Sequence, residues 1–432
     1  MKILLILLDG IGDQSYHSMN DRTPLQSAST PNLDMLASWG SNGLYHASFQ
    51  GECLPSETAH YLLFGYDLKN FPGRGLLEAV GEGVPFNDRD VLCLAHLAGV
   101  EWQGDKPILT FGRNDINGTR GEIARLLQRI SPFENKNIRF HLHQTRRNDA
   151  ILVLSGEVSP FISDSDPIIK GQPMGKIVPL SGNPEPKEAT RTAKALNTYL
   201  SYCHRKLSDS NAQTKCNLSA ANFLTTQRCG RRIPQTPFNR LWGINGMLIA
   251  SVSVYGGLAH EVGLEFVRVK DTGDPGKDLS ERINMALMDK DHDFYHVHTK
   301  MPDEAAHTGD PEYKRQIIEA LDKGLDELVK TLKAREDLLT IITADHSTPS
   351  ISMMIHSGEP VPVVITGPHV RRDHVENFNE VDAGVGCLGL LRGQELMRMI
   401  LNYADRAVLS GHRMGSIEKF YFPPEFEPFR LV

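Results

Sequence analysis

The six cysteines (Cys53, Cys93, Cys203, Cys216, Cys229 and Cys387) form no CxxC pair. That spacing predicts neither a zinc knot nor a secreted disulfide framework, and free thiols in a reducing cytoplasm are the simplest reading. No apolar run approaches the ~18 residues of a membrane span. No basic excess exists: 46 Lys and Arg face 53 Asp and Glu, a formal charge of −7, which argues against wholesale nucleic-acid binding. Internal repeats and low-complexity tracts are absent. The opening MKILLILLDG resembles a signal peptide only superficially. Its apolar run, residues 3–8, is too short for an h-region, and no small-residue cleavage site follows before Asp9. A soluble, cytoplasmic protein with no membrane partner is expected.

What is present is ordinary globular material. The chain has 432 residues, 40% hydrophobic and 23% charged, enough for two or three domains. A mildly acidic protein that binds an anion needs local positive charge from arginines or metal ions. Residues 3–8 form a continuous apolar run ending in Asp9-Gly10, the pattern of a strand buried on both faces of a parallel sheet. Thr30-Pro31 opens a helix to Trp39. Gly73-Arg74-Gly75 leads into another. Between about 91 and 180, short strand-like runs (91–97, 138–142, 151–154) surround one helix (121–130), the texture of an inserted, partly antiparallel domain. Proline-rich turns at 179–186 mark its end. A β–α rhythm then resumes: helix 189–205, strands 246–254, 265–269, 293–298, 338–344 and 361–366, and helices 256–262, 311–335 and 394–403.

Candidate chemistry falls at four places. Asp9 follows the first strand, where α/β sheets place ligands; alone it reads equally as a turn aspartate. Ser56, in PSETAH, is either a helix N-cap or a nucleophile at a helix N-terminus, where backbone N–H groups favour oxyanions. Asp303 and His307, spaced i and i+4, share one face of a helical turn and suit zinc or manganese. Asp345-His346 follows another strand, with His356 ten residues on. Single residues of this kind are commonly structural. Together they supply two ions with three or four ligands each, and two ions roughly 4 Å apart can ionise a serine and bind a phosphoryl group.

These residues, in this order, resemble the alkaline phosphatase superfamily of metalloenzymes, and more closely its cofactor-independent phosphoglycerate mutase branch in the archaeal-type form. The resemblance covers nearly the whole chain. It is carried by LLDGIGD, RTPLQSASTPNLDMLA, PSETAHYLLFGYD with GRGLLEAVGEGV, DSDP, SAANFLTTQRCGR, HVHTKMPDEAAHTGD, and TADHSTPS with HSGEPVPVVITG. It implies an alkaline-phosphatase-like α/β core, a mainly parallel sheet flanked by helices, formed by residues 1–86 and 187–432. A smaller inserted α+β domain, 87–186, would close over the substrate. It implies Ser56 as the phosphorylated nucleophile. One divalent metal ion would be held by Asp303, His307 and His356, and a second by Asp9, Asp345, His346 and Ser56. Mn2+ is the usual ion, with Mg2+, Zn2+ or Co2+ as alternatives. His60 and Arg74 occupy family positions near the substrate phosphate. The oligomeric state stays open.

Two segments depart from the family. Where members carry DRRAGR, whose arginines contact substrate, this chain reads RNDINGTR, leaving Arg113 and Arg120 as the substrate-binding candidates. Where members read HVKGTDEAGH, this chain reads HVHTKMPDEAAH, with His298 at the lysine position and Lys300 two residues on. The expected function is interconversion of 3-phosphoglycerate and 2-phosphoglycerate through phosphoserine. The alternative is a metal-dependent phosphotransferase or phosphomonoesterase acting on another small phosphorylated or phosphonate acid. A non-catalytic homologue is a third reading, opposed by the complete ligand set.

Overall fold

The computed structural model describes residues 1–115, 118–145, 149–209, 221–423 and 426–431. Ile116 and Asn117 of the arginine segment, and Cys216, lie outside them. The chain folds into two compact units: Met1–Phe71 with Gln235–Val252 and Leu258–Val432, and Pro72–Pro234 with Ser253–Gly257.

The first unit is built on an eight-stranded sheet. In spatial order its strands are Glu265–Arg268, Gly246–Ala250, Phe294–Thr299, Lys2–Leu8, Leu338–Thr343, Val361–Thr366, Ser41–His46 and Gly389–Arg392. Ile3 to Leu8 are at most 1% exposed, as a strand covered on both faces requires. Each fully buried Leu or Ile there contributes about 1.5–3 kcal/mol. Helix Pro275–Met288 packs on one flank and Pro31–Trp39 on Val361–Thr366. The register is what matters for chemistry. Leu7 lies opposite His298 on one side and Thr343 on the other, all parallel. Three carboxyl ends therefore stop level, and the residues after them converge on one edge.

The sheet is mainly parallel, but Val361–Thr366 runs antiparallel to both its neighbours. The sequence gives no hint of strands at Ser41–His46 (SNGLYH) and Gly389–Arg392 (GLLR); their glycine and asparagine content conceals them. Helix Pro275–Met288 is likewise absent from the sequence-based expectation. The expected long helix 311–335 is two helices, Pro311–Lys323 and Asp326–Leu332. The interruption falls at Gly324, which packs so closely on Gly276 that a Cβ would lie 2.4 Å from its carbonyl oxygen.

The second unit holds a wholly antiparallel sheet: Lys106–Phe111, Val91–Gln103, Ala150–Ser155, Ile138–Gln144 and Phe133–Asn135, with Phe223–Gly230 also paired to Val91–Gln103. Its bounds are wider than 87–186, for two reasons. Phe223–Gly230 completes the sheet, and helices Arg74–Glu82 and Pro186–Ser208 pack against it. Leu76 and Ala79 join Leu92, Leu94, Ile151 and Val153 on one face; Leu126, Ile130, Leu196 and Tyr199 are among those covering the other.

The free-thiol expectation fails for one pair. Cys93 and Cys229 are joined as a disulfide, their Cα atoms 4.1 Å apart. The two strands pair antiparallel, and a register shift between Leu92 and Leu94 brings the two cysteines face to face. Cys53, Cys203 and Cys387 are free.

Within this unit Asp149 is a buried junction. His96 Nδ1 lies 3.0 Å from its carboxylate, and Arg113 Nε donates to it at 3.0 Å. Burial alone would raise the carboxyl pKa. The His96 hydrogen bond and the His96 and Arg113 charges overcome this and hold it well below the usual range. A carboxylate with a depressed folded pKa adds stability above its unfolded pKa of about 4, and that stability is lost as pH falls through the folded value. Asp149→Asn is therefore expected to cost about 1–3 kcal/mol at pH 7. The gap to wild type should close as the medium is acidified, as measured by urea midpoints across pH.

Candidate active site

The loop after Lys2–Leu8 carries Asp9, and Asp9 N–H donates to Thr299 O at 3.1 Å. Gly10 follows with φ +68°, and its N–H donates to Asp345 Oδ1 at 3.2 Å. A Cβ here would lie 2.5 Å from Thr348 Oγ1 and 2.8 Å from Asp303 Cβ. Only glycine lets these three segments close together.

Ser56 is the first residue of helix Ser56–Leu63, after Pro55 at the N-cap. It is 7% exposed. Its Oγ lies 2.9 Å from His346 Nε2 and accepts from Lys300 Nζ at 2.7 Å. Asp303 lies on the short helix Met301–Ala306 that follows strand Phe294–Thr299. Thr348 Oγ1 donates to Asp303 Oδ1 at 2.8 Å. His307 Nε2 stands 3.3 Å from Asp303 Oδ2. His356 returns to the site because Ser357 N–H donates to Ser347 O at 3.0 Å, and its Nδ1 is 2.7 Å from Leu54 O.

Among the described residues two groups have ligand atoms within 4.8 Å of one another: Asp9, Asp345 and His346, and Asp303, His346 and His356. His346 belongs to both, and its ring stacks on that of His356 at 3.7 Å. His307 is outside both groups, but its Nε2 stands beside Asp303 and its ring stacks on that of His356 with centroids 5.8 Å apart; its side chain is 42% exposed.

The donor set fits divalent cations. It consists of hard carboxylate oxygens and imidazole nitrogens. Asp345 Oδ2 is buried and accepts no hydrogen bond. Three buried carboxylates (Asp9, Asp303, Asp345) face one ammonium, Lys300, so two negative charges are unbalanced when the imidazoles are neutral ligands. Burial alone would raise the Asp303 and Asp345 pKa values. Lys300 beside Asp303, and His346 and His60 beside Asp345, hold both well below the carboxylate range. Burial alone would discharge Lys300; Asp9, Asp303 and Asp345 keep it protonated, above its usual range.

Two residues have neighbours that the sequence does not foretell. His60 is expected beside the phosphate, yet it is fully buried, its Nδ1 2.8 Å from Ser56 O and 3.4 Å from Asp345 Oδ2. It stands behind Ser56. Lys300, noted in the sequence only as a shifted lysine, donates to both oxygens of Asp9 at 2.9 Å as well as to Ser56. Of the substrate candidates, Arg74 pairs with Glu78 at 2.8 Å and Arg113 with Asp149, each within the second unit. Arg120, also in that unit, opens helix Arg120–Ile130 and is exposed.

One further lysine escaped the sequence reading. Lys314, 0% exposed, donates from Nζ to Gly12 O and Thr348 O at 2.9 Å and to Asp13 Oδ2 at 3.1 Å. It ties the Asp9 loop to the His346 loop. Lys314→Met leaves Asp13 buried without its cation, so a loss of about 3–5 kcal/mol in urea unfolding is expected. Adding Asp13→Asn should recover part of it.

Residues 1–403 match the metalloenzyme superfamily. The chain is 39% identical to 2,3-bisphosphoglycerate-independent phosphoglycerate mutase 2 of Methanocaldococcus jannaschii, covering 99% of each chain. It is 34% identical to the 2,3-bisphosphoglycerate-independent phosphoglycerate mutase of Methanopyrus kandleri, covering 94% of this chain and 97% of that one. The PH0037 protein from Pyrococcus horikoshii superposes with a TM-score of 0.75 at 26% identity, over 95% of this chain and 99% of that one. Cofactor-independent phosphoglycerate mutase from Thermoplasma acidophilum gives 0.59 at 27% identity, over 94% and 100%. No described helix is long and apolar enough to cross a membrane. The chain belongs to the metalloenzyme superfamily and, within it, to the family of 2,3-bisphosphoglycerate-independent phosphoglycerate mutases.

Proposed function

We propose that this enzyme interconverts 3-phosphoglycerate and 2-phosphoglycerate through a phosphoserine at Ser56, with two divalent ions, Mn2+ by preference. The observation that supports it most directly is the setting of Ser56 Oγ. A buried hydroxyl at a helix N-terminus stands within hydrogen-bond distance of both His346 and Lys300, in a chain related over its full length to such mutases.

Asp9, Asp345, His346 and Ser56 would hold one ion, and Asp303, His356 and His307 the other. Such ions lower the hydroxyl pKa and neutralise charge that develops in phosphoryl transfer. Ser56 Oγ attacks phosphorus, and the bond to the C3 oxygen of glycerate breaks. The C3 oxygen gains the proton that the C2 hydroxyl loses, the C2 oxygen attacks the phosphoserine, and Oγ is released in the ionised state in which it began. Lys300 Nζ, 2.7 Å from Oγ, stabilises the anionic oxygen at both stages. The helix N-terminus beneath Ser56 favours the same negative charge. Arg74, Arg113 and Arg120 are the proposed contacts to the acid's carboxylate and phosphate.

Conversion of 3-phosphoglycerate should proceed at the same rate with and without added 2,3-bisphosphoglycerate. A requirement for the bisphosphate would overturn the proposal.

A further inference from the structure

Behind the ligand carboxylates lies a layer of three fully buried histidines, His60, His296 and His298. His296 and His298 are two apart on strand Phe294–Thr299, so their side chains share one face of the sheet. The His60 ring meets both edge-on, with centroids 5.2 Å apart in each case. Three imidazoles beside a charged centre is an unusual way to fill space that aliphatic side chains fill better.

The contacts divide them. His298 Nε2 is 2.9 Å from Asp9 Oδ2, both residues 0% exposed. Asp9 Oδ1 is the oxygen on the side of His346 Nε2, 3.6 Å away. His60 Nδ1 is 2.8 Å from Ser56 O and 3.4 Å from Asp345 Oδ2. His296 differs: neither of its ring nitrogens makes a hydrogen bond. It packs against His60 and Phe64, with centroids 5.2 Å apart in each case.

We propose that His298 and His60 are positioning residues. His298 fixes the rotation of the Asp9 carboxylate through its hydrogen bond, and His60 holds the first turn of the Ser56 helix through Ser56 O while standing against Asp345, so that Asp9 and Ser56 are set before an ion arrives. The proposal rests on the metal-site reading above. Ligating carboxylates are commonly oriented by an outer hydrogen bond, and losing that partner costs about 10–100-fold in metal affinity.

The test is Mn2+ titration of the metal-free full-length protein, followed by electron paramagnetic resonance. His298→Met fills the volume without a donor and should weaken binding by about 10–100-fold. His298→Gln, whose amide nitrogen can stand where Nε2 does, should recover to within a few-fold of wild type. His60→Leu should weaken binding similarly, and His60→Asn, which mimics Nδ1, should recover it. His296→Leu should bind Mn2+ as wild type does. Wild-type affinity in a folded His298→Met, or equal weakening by Met and Gln, would overturn the role of His298. The same pattern for His60→Leu and His60→Asn would overturn that of His60. If His298→Met does not fold, His298→Gln decides: affinity 10-fold or more below wild type contradicts the proposal, and near-wild-type affinity supports it. Turnover of 3-phosphoglycerate by wild type is scored separately. Its absence would defeat the mutase reading and leave the affinity pattern, and so the positioning roles, intact.

Discussion

Ser56→Ala is expected to lower kcat by roughly 10^4-fold or more and to abolish acid-stable labelling of the protein by phosphate from substrate. The fold should survive. Ser56 caps no helix with its side chain, because Pro55 holds the N-cap position. Its Oγ engages Lys300 and His346, and both retain other partners in Asp9, Asp303 and Asp345. A large kinetic loss with an unchanged thermal midpoint separates a nucleophile from a structural serine. Removing the nucleophile leaves only binding and electrostatic stabilisation, which residual activity reports. Quantitative incorporation of label into the alanine variant would place the phosphoryl acceptor elsewhere.

The second large effect is metal removal. Chelation should abolish turnover, and Mn2+ should restore it. It should also change stability, because the ligands are carboxylates that repel one another when no cation joins Lys300. A ligand at 100 times its dissociation constant adds about 2.7 kcal/mol to the folded state. For a unit of this size that is a rise of roughly 5 °C in Tm. Calorimetry with and without Mn2+ checks the shift. Asp345→Asn should reduce both the Mn2+ response and the activity. Full activity in the chelated protein, with metal absent by elemental analysis, would rule out the metal-assisted route.

The parts of this molecule most legible in the sequence are those where one segment announces itself. Residues 3–8 are apolar without a break, and only a strand covered on both sides accommodates that. Asp9 and Asp345 each follow such a run, and a parallel sheet brings strand ends together, so their convergence follows from the pattern. Asp303 and His307 announce a helical turn by spacing.

Other features depend on distant partners and leave no local trace. Lys314 reads as one more surface lysine on an amphipathic helix; only the closing of two loops over it reveals a buried cation. His298 reads as an alternating strand residue until register places it beside Asp9. Cys93 and Cys229 are 136 residues apart, and nothing short of the antiparallel pairing joins them. Ser41–His46 is polar and glycine-containing, yet it is a strand because Val361–Thr366 and Gly389–Arg392 pair on its two edges. His60 holds a family position near the phosphate, but its own segment does not reveal that it is fully buried, with Nδ1 2.8 Å from Ser56 O.

The most direct test of the central claim is phosphorus NMR of 3-phosphoglycerate incubated with the Mn2+-loaded protein. The resonance of 2-phosphoglycerate should grow to equilibrium without inorganic phosphate, which requires that each phosphoryl group taken from the C3 oxygen be returned to glycerate and not to water. Release of inorganic phosphate alone would contradict the mutase and make the enzyme a phosphomonoesterase. An unchanged spectrum with Mn2+ bound would show that 3-phosphoglycerate is not its substrate.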